Sequence, residues 1–155
     1  MKRMLGLAAL ALTLAIGAAP MRAAAADTDA ERIAVTKDMI AAWKAADWKK
    51  VADLFAPNGV LRSMMLEPVV GREAIHARIA ALGKGAPDGV TLDVAHMGVI
   101  DGLVFIERTD RFVYNGKPGA VPVVGVLDIR DGKVQEWREY YDRAELMKAL
   151  GAPEK

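Results

Sequence analysis

Two short stretches concentrate the side chains that could move protons. In "ERTDRF", residues 107–112, Arg108 and Asp110 stand two positions apart at the end of the apolar run Leu103–Ile106. In "WREYYD", residues 137–142, Glu139 lies between Trp137 and Tyr141 at the same two-residue spacing. Side chains of an extended chain alternate faces. Val104, Ile106, Arg108, Asp110 and Phe112 therefore share one face, and Leu103, Phe105, Glu107, Thr109 and Arg111 the other. Both sets begin apolar and end charged, so parity leaves open which one turns inward. In the second stretch Trp137, Glu139 and Tyr141 form the more aromatic set and the better candidate for a covered side. A carboxylate held among aromatic rings is costly unless it is paired. Arg108 on a neighbouring strand could supply the partner, and Asp110 a second acid.

An acid–Arg–acid arrangement has a chemical use. The planar fork of one guanidinium can bond two carboxyl groups at once. If their proton affinities separate, one can donate to a leaving oxygen while the other takes a proton from water. The same residues also fit a plain inter-strand ion-pair network at a sheet end, and their types and spacing do not choose between the two. No Ser-His-acid or Cys-His arrangement competes, since the chain has no Cys and only two His. His76 reads as a helix-surface or rim residue, and its spacing from His96 matches no metal motif. Met64, Met65 and Met97 read as flexible apolar fillers, of the core or of a pocket for a bulky apolar ligand. Trp43 and Trp48 read as helix–sheet packing.

The elements that must position these groups follow from periodicity. Thr28, with Glu31 three residues on, is a capping-box start. The spacing of Ile33, Thr36, Ile40 and Trp43 then predicts a helix over about 29–46. Asp47 can cap a second short helix, "WKKVADLF", that "APNG" would break. "VLRSMMLEPVV" reads as hairpin-like, with Pro68 at an edge or bend. "EAIHARIAALG" predicts a third helix with Ile75, Ile79 and Leu82 on one side, closed by Gly83. Four strands follow, over 90–100, 103–114, 120–130 and 133–142. They are parted by Asp101-Gly102, "NGKPG" and Asp131-Gly132, and Asp-Gly is a strong hairpin signal. Helices first and a long meander after them mean an α+β fold.

Of the 155 residues, the first 26 read as a secretory leader: Lys2 and Arg3, an apolar run, then Ala24-Ala25-Ala26 before Asp27. Cleavage there predicts a periplasmic or secreted domain over 27–155 with no stable membrane insertion. Losing Lys2, Arg3 and Arg22 from 21 basic residues leaves 18 against 20 acidic ones, a net charge of −2. No Lys/Arg cluster suits phosphate contacts, which argues against nucleic acid as a partner.

"LEPVVGREAI", "ERTDRF" and "VQEWREYYD", in this order behind two helices, resemble the limonene-1,2-epoxide hydrolase family of the nuclear transport factor 2-like, or SnoaL-like, superfold. The resemblance spans nearly all of the chain after residue 26. It implies a cone-shaped domain whose strongly curved, mixed and mostly antiparallel sheet closes with the N-terminal helices over a deep apolar pocket, and it suggests a homodimer. It implies Arg108 as the bridging arginine, Asp110 as the general acid and Glu139, where the family typically has Asp, as the base that activates water. The family's water-holding Tyr and Asn fall on Leu61 and Ser63; Leu cannot hydrogen-bond and Ser has the shorter reach. Tyr141, on the face of Glu139, could compensate, with Trp137 as core or pocket wall.

The expected activity is one-step addition of water to a small lipophilic epoxide, giving a vicinal diol without metal, cofactor or covalent intermediate. Two rivals remain. One is an isomerase or cyclase of the same superfold that moves a proton next to a carbonyl. The other is a binding protein in which Arg108, Asp110 and Glu139 are a buried structural network.

Overall fold

The computed structural model describes residues 27–151. The expected leader, residues 1–26, lies outside them. Helix α1 runs Asp29–Lys44, α2 Trp48–Asp53 and α3 Arg72–Gly83. The strands are β1 (Phe55–Ser63), β2 (Val69–Val70), β3 (Val90–Ile100), β4 (Leu103–Tyr114), β5 (Lys117–Arg130) and β6 (Lys133–Tyr141), and α4 (Arg143–Ala149) ends the domain. The strands form one sheet in the order β2-β1-β6-β5-β4-β3. Among the described residues only the β1–β6 pairing is parallel. The α+β class is as the sequence predicts, and the mixed, mostly antiparallel sheet is as the family resemblance implies.

Thr28 caps α1 as expected: its side chain accepts from Glu31 N while the Glu31 carboxylate accepts from Thr28 N at 2.7 Å. The buried stripe is centred differently, on Thr36, Met39 and Ala42, with Ile40 and Trp43 at its margin. Three two-residue turns set the meander. Asp101-Gly102, Asn115-Gly116 and Asp131-Gly132 all have positive φ at both positions, the geometry of a type I′ hairpin. "NGKPG" is therefore a tight turn and not a loop. β5 starts three residues earlier than the sequence suggests, and Pro118 pairs with Val113.

Two further elements differ from the expectation. Phe55 and the "APNG" that follows belong to β1, with a shift in register against β6 between Phe55 and Val60. This bulge buries Phe55 and Ala56 and leaves Pro57 and Asn58 in solvent. α4 was not predicted at all. Asp142, read as the end of the last strand, is its N-cap and accepts from Ala144 N at 2.8 Å and Glu145 N at 3.2 Å. The hairpin-like reading of residues 60–70 matches the antiparallel pairing of Val60 with Val70 and Leu61 with Val69.

α1, α2 and α3 cover the inner face of the sheet. Met39, Phe55, Ile75, Ile79, Ile106 and Leu127 are among the fully buried residues between the layers. Trp137 is the largest of this buried set, 2 % exposed, stacked on Phe55 and edge-on to Trp43, with ring centroids 6.4 Å apart in both pairs. Trp43 meets Trp48 edge-on in turn, so both tryptophans do pack helix to sheet. Beyond this core the inner face does not close, and a cavity opens.

Candidate active site

The alternation of β4 carries the chain from core to cavity. Val104 and Ile106 are buried in the core; Arg108, Asp110 and Phe112, next on the same face, line the cavity. On β6, Trp137, Glu139 and Tyr141 line it as well. The inward faces are thus the ones that hold Arg108 with Asp110 and Glu139 with its two aromatic neighbours. β5 lies between these strands, pairing Arg108 with Val123 on one side and Glu139 with Gly125 on the other.

Arg108 bonds both acids. Its Nε donates to Asp110 Oδ1 at 2.6 Å and its Nη2 to Asp110 Oδ2 at 3.0 Å. The same Nη2 donates to Glu139 Oε2 at 2.8 Å and Oε1 at 3.1 Å. The guanidinium lies 5.5 Å from the centre of the Trp137 ring, a cation–π contact at the floor of the cavity. Arg108 is 3 % exposed, and the side chains of Asp110 and Glu139 are 19 % and 13 % exposed. Arg108 Nη1 and Trp137 Nε1 are buried without a hydrogen-bond partner among the described residues.

These surroundings separate the two acids. Burial pushes Glu139 up to about 7, the Arg108 charge pulls against it, and the Asp110 charge adds to the rise. Burial also raises Asp110, opposed by the charge and hydrogen bonds of Arg108. The geometry also separates them, because Asp110 takes two different nitrogens and Glu139 only one. For Arg108 the cost of burial is outweighed by its two carboxylate partners, which raise its pKa and keep it charged. Glu139, raised to about 7, therefore exchanges its proton near neutral pH and carries it below that.

The cavity above the floor has a volume of about 880 Å³, near the upper end for a small-molecule site. Its walls are apolar, from Leu66 and Leu82 on one side to Phe112, Val121, Leu146 and Met147 on the other. Leu61 and Ser63 line it from β1, beside Trp137 and Glu139 in the parallel register. Ser63 is thus the neighbour of Glu139, and Leu61 adds a wall and no hydrogen bond. All seven residues singled out from the sequence, Asp110, Arg108, Glu139, Ser63, Tyr141, Trp137 and Leu61, face this one cavity.

The reading of Met64 and Met65 is corrected, whereas those of Met97 and His76 stand. Met64 and Met65 are half-exposed in the turn after β1 and belong to neither core nor cavity. Met97 packs against the core. His96 lies on the exposed side of the sheet, its Nδ1 2.8 Å from Glu107 Oε2, and His76 is exposed on α3. The sequence reading missed the α4 wall, although Asp142 followed three positions later by Glu145 carries the signal of a helix start.

A family model described as a SnoaL-like domain matches residues 36–137. Among solved structures, the chain is similar to a Mycobacterium tuberculosis epoxide hydrolase of limonene-epoxide-hydrolase type, at 20% identity and TM-score 0.69, covering 79% of this chain and 90% of that one. It is similar to a candidate SnoaL-like polyketide cyclase of Jannaschia sp. CCS1, at 22% identity and TM-score 0.69, covering 81% and 95%. A protein of ketosteroid isomerase-like fold from Catenulispora acidiphila, in complex with trimethylamine, matches at 22% identity and TM-score 0.68, covering 77% and 93%. At these identities the likeness is one of fold.

Proposed function

The chain belongs to the SnoaL-like domain family, and from that premise we propose that it is a cofactor-independent epoxide hydrolase acting on a lipophilic epoxide. The observation that carries the reading is a single guanidinium bonded to two unlike carboxyl groups at the floor of a large apolar cavity. Such a pair can share one proton up to about pH 7, which is what an acid and a base acting in the same step require.

In the proposed reaction Asp110 protonates the epoxide oxygen as one of its C–O bonds breaks. Water attacks that carbon from the opposite side and gives a proton to Glu139. The products are a vicinal diol and the pair with its proton moved from Asp110 to Glu139. The reactive form is therefore the one in which the proton lies on Asp110, and Arg108 Nη2, bonded to both acids, couples the two placements. Ser63, next to Glu139 in the register, and Tyr141, on its face of β6, are the groups available to hold the water. The apolar walls expel water from the rest of the substrate, strengthening the charge interactions at the floor. The substrate class is a bulky lipophile, in keeping with the cavity volume. We place the protein in the periplasm or outside the cell, as a homodimer.

One observation favours a second reading. Leu61 leaves the water site without the hydrogen-bonding group that the hydrolase resemblance implies there. An isomerase or cyclase would use Asp110 or Glu139 to move a proton on an apolar substrate and would need no water. Incubation with cyclic and aryl epoxides in oxygen-18 water separates the readings. A hydrolase yields a diol carrying one label, and Asp110→Asn abolishes it. Turnover without label, or no turnover with ligand affinity retained in Asp110→Asn, rejects the hydrolase in favour of a proton-transfer enzyme or a binder.

A further inference from the structure

Arg108 and Glu139 lie on strands that do not touch. Arg108 is on β4 and Glu139 on β6, and β5 runs between them. To reach Glu139 the arginine must cross the inner face of β5, whose inward residues here are Val121, Val123, Gly125 and Leu127 by register. It crosses at Gly125, the one inward position of that stretch with no side chain.

We infer that Gly125 is a positioning residue: its missing side chain is the passage through which the Arg108 guanidinium reaches across β5 to join Asp110 and Glu139. A Cβ built at Gly125 would stand 2.6 Å from Arg108 Nη1, 2.8 Å from Trp137 Nε1 and 3.0 Å from Ile106 Cγ1. All three distances are shorter than ordinary van der Waals contact. The two nitrogens are the same buried, unpartnered donors at the floor of the cavity. They lie where they do because they pack against the bare glycine.

Backbone conformation does not account for a glycine here. Gly125 is not among the positive-φ glycines, all of which stand at turns or element ends. It sits in the interior of a paired strand, where glycine weakens a sheet by its entropy and its lack of packing. Gly98, in the interior of β3, is a useful contrast, because a Cβ there would meet nothing within 4 Å.

Of the three side chains a methyl would meet, Ile106 is fully buried and Trp137 cannot give way. Its ring is held between Phe55, Trp43 and the guanidinium. Arg108 is the longer and more flexible side chain, so it moves. Moving it opens a fork in which one nitrogen, Nη2, serves both acids. The inference rests on the acid–Arg–acid site of the proposed function but not on which reaction that site performs.

The test reads the two carboxyl groups directly, by carbon-13 NMR titration of the full chain labelled at Asp and Glu side chains. In Gly125→Ala both Asp110 and Glu139 lose part of the charge that lowers them. Their midpoints rise, that of Glu139 by about one pH unit, roughly tenfold in proton affinity. Gly98→Ala leaves both midpoints where they are. A folded Gly125→Ala protein with unchanged midpoints overturns the inference. If Gly125→Ala does not fold, the same methyl is introduced beside Arg108→Lys, which removes Nη1, and thermal unfolding is compared with Arg108→Lys alone. A double variant that folds with a small further loss supports the passage; failure of the double variant to fold assigns Gly125 to packing against Trp137 and overturns it. Because activity is not the readout, a protein that hydrolyses no epoxide still returns an answer.

Discussion

Replacing Glu139 by Gln should change how stability depends on pH more than it changes stability itself. In the folded protein the Glu139 carboxyl is held up at about 7, against 4.5 for the free group, chiefly by burial. A folded-state pKa above the unfolded one means that the unfolded chain gives up its proton first. The stability associated with protonated Glu139 is fully present below pH 4.5 and is lost as the pH rises through about 7. At about 1.4 kcal/mol per pH unit, that interval amounts to roughly 3 kcal/mol. For a domain of this size such a change is roughly 10 °C in melting temperature. Gln is neutral throughout, keeps an oxygen to accept from Arg108 and leaves Asp110 paired with the guanidinium. The titrating groups outside this site remain in both proteins and cancel in the difference, whereas Asp110, coupled to Glu139, adds a smaller change of its own. Melting curves from pH 4.5 to 8.5 should therefore converge at the acid end and separate by roughly 10 °C at the alkaline end, with Glu139→Gln the more stable. Parallel curves would refute the reasoning, because they would show that folding does not move the Glu139 proton.

The remaining predictions concern the same cavity. Arg108→Met strands two buried acids and should cost ~3–5 kcal/mol at pH 8, where breaking a buried pair is most expensive. Urea denaturation should show much of that loss recovered at pH 5, where the raised carboxyls take up protons. Epoxide turnover should decline as the pH is raised through about 7, when the pair gives up its single proton; a pH–rate profile that keeps climbing past 8 contradicts that protonation scheme. Asp142→Ala removes the cap of α4 and should cost ~1 kcal/mol there. Because Leu146, Met147 and Leu150 line the cavity, titration with an apolar fluorescent dye should show affinity weakened several-fold, with little change in the global melting temperature.

How much of this was legible in the sequence depends on whether a signal is local. The limits of β3 and β4 follow the sequence to the residue, since Asp101-Gly102 pins the turn between them and a register error would turn Ile106 and Arg108 to the wrong face. The meeting of Arg108, Asp110 and Glu139 was one arrangement that two alternations and the need of a covered carboxylate for a partner allowed; parity left the inward face of β4 open, and the family resemblance chose it. β1 was not, because Ala56-Pro57-Asn58-Gly59 has the composition of a break and becomes a strand only through its bulged pairing with β6. α4 did carry a local signal, but the alternation of the preceding strand runs on to Asp142 and hides it. Gly125 is the limiting case. In "VVGVLD" it is one small residue in an apolar run, and nothing within ten positions says why it is there. The atoms that need its space belong to residue 108 on one neighbouring strand and residue 137 on the other. Only the registers of both pairings bring them over the same Cα. The acids and the arginine can thus be named from their chemistry, whereas the device that lets them meet is an absence of atoms, and that becomes visible only when the strands are laid side by side.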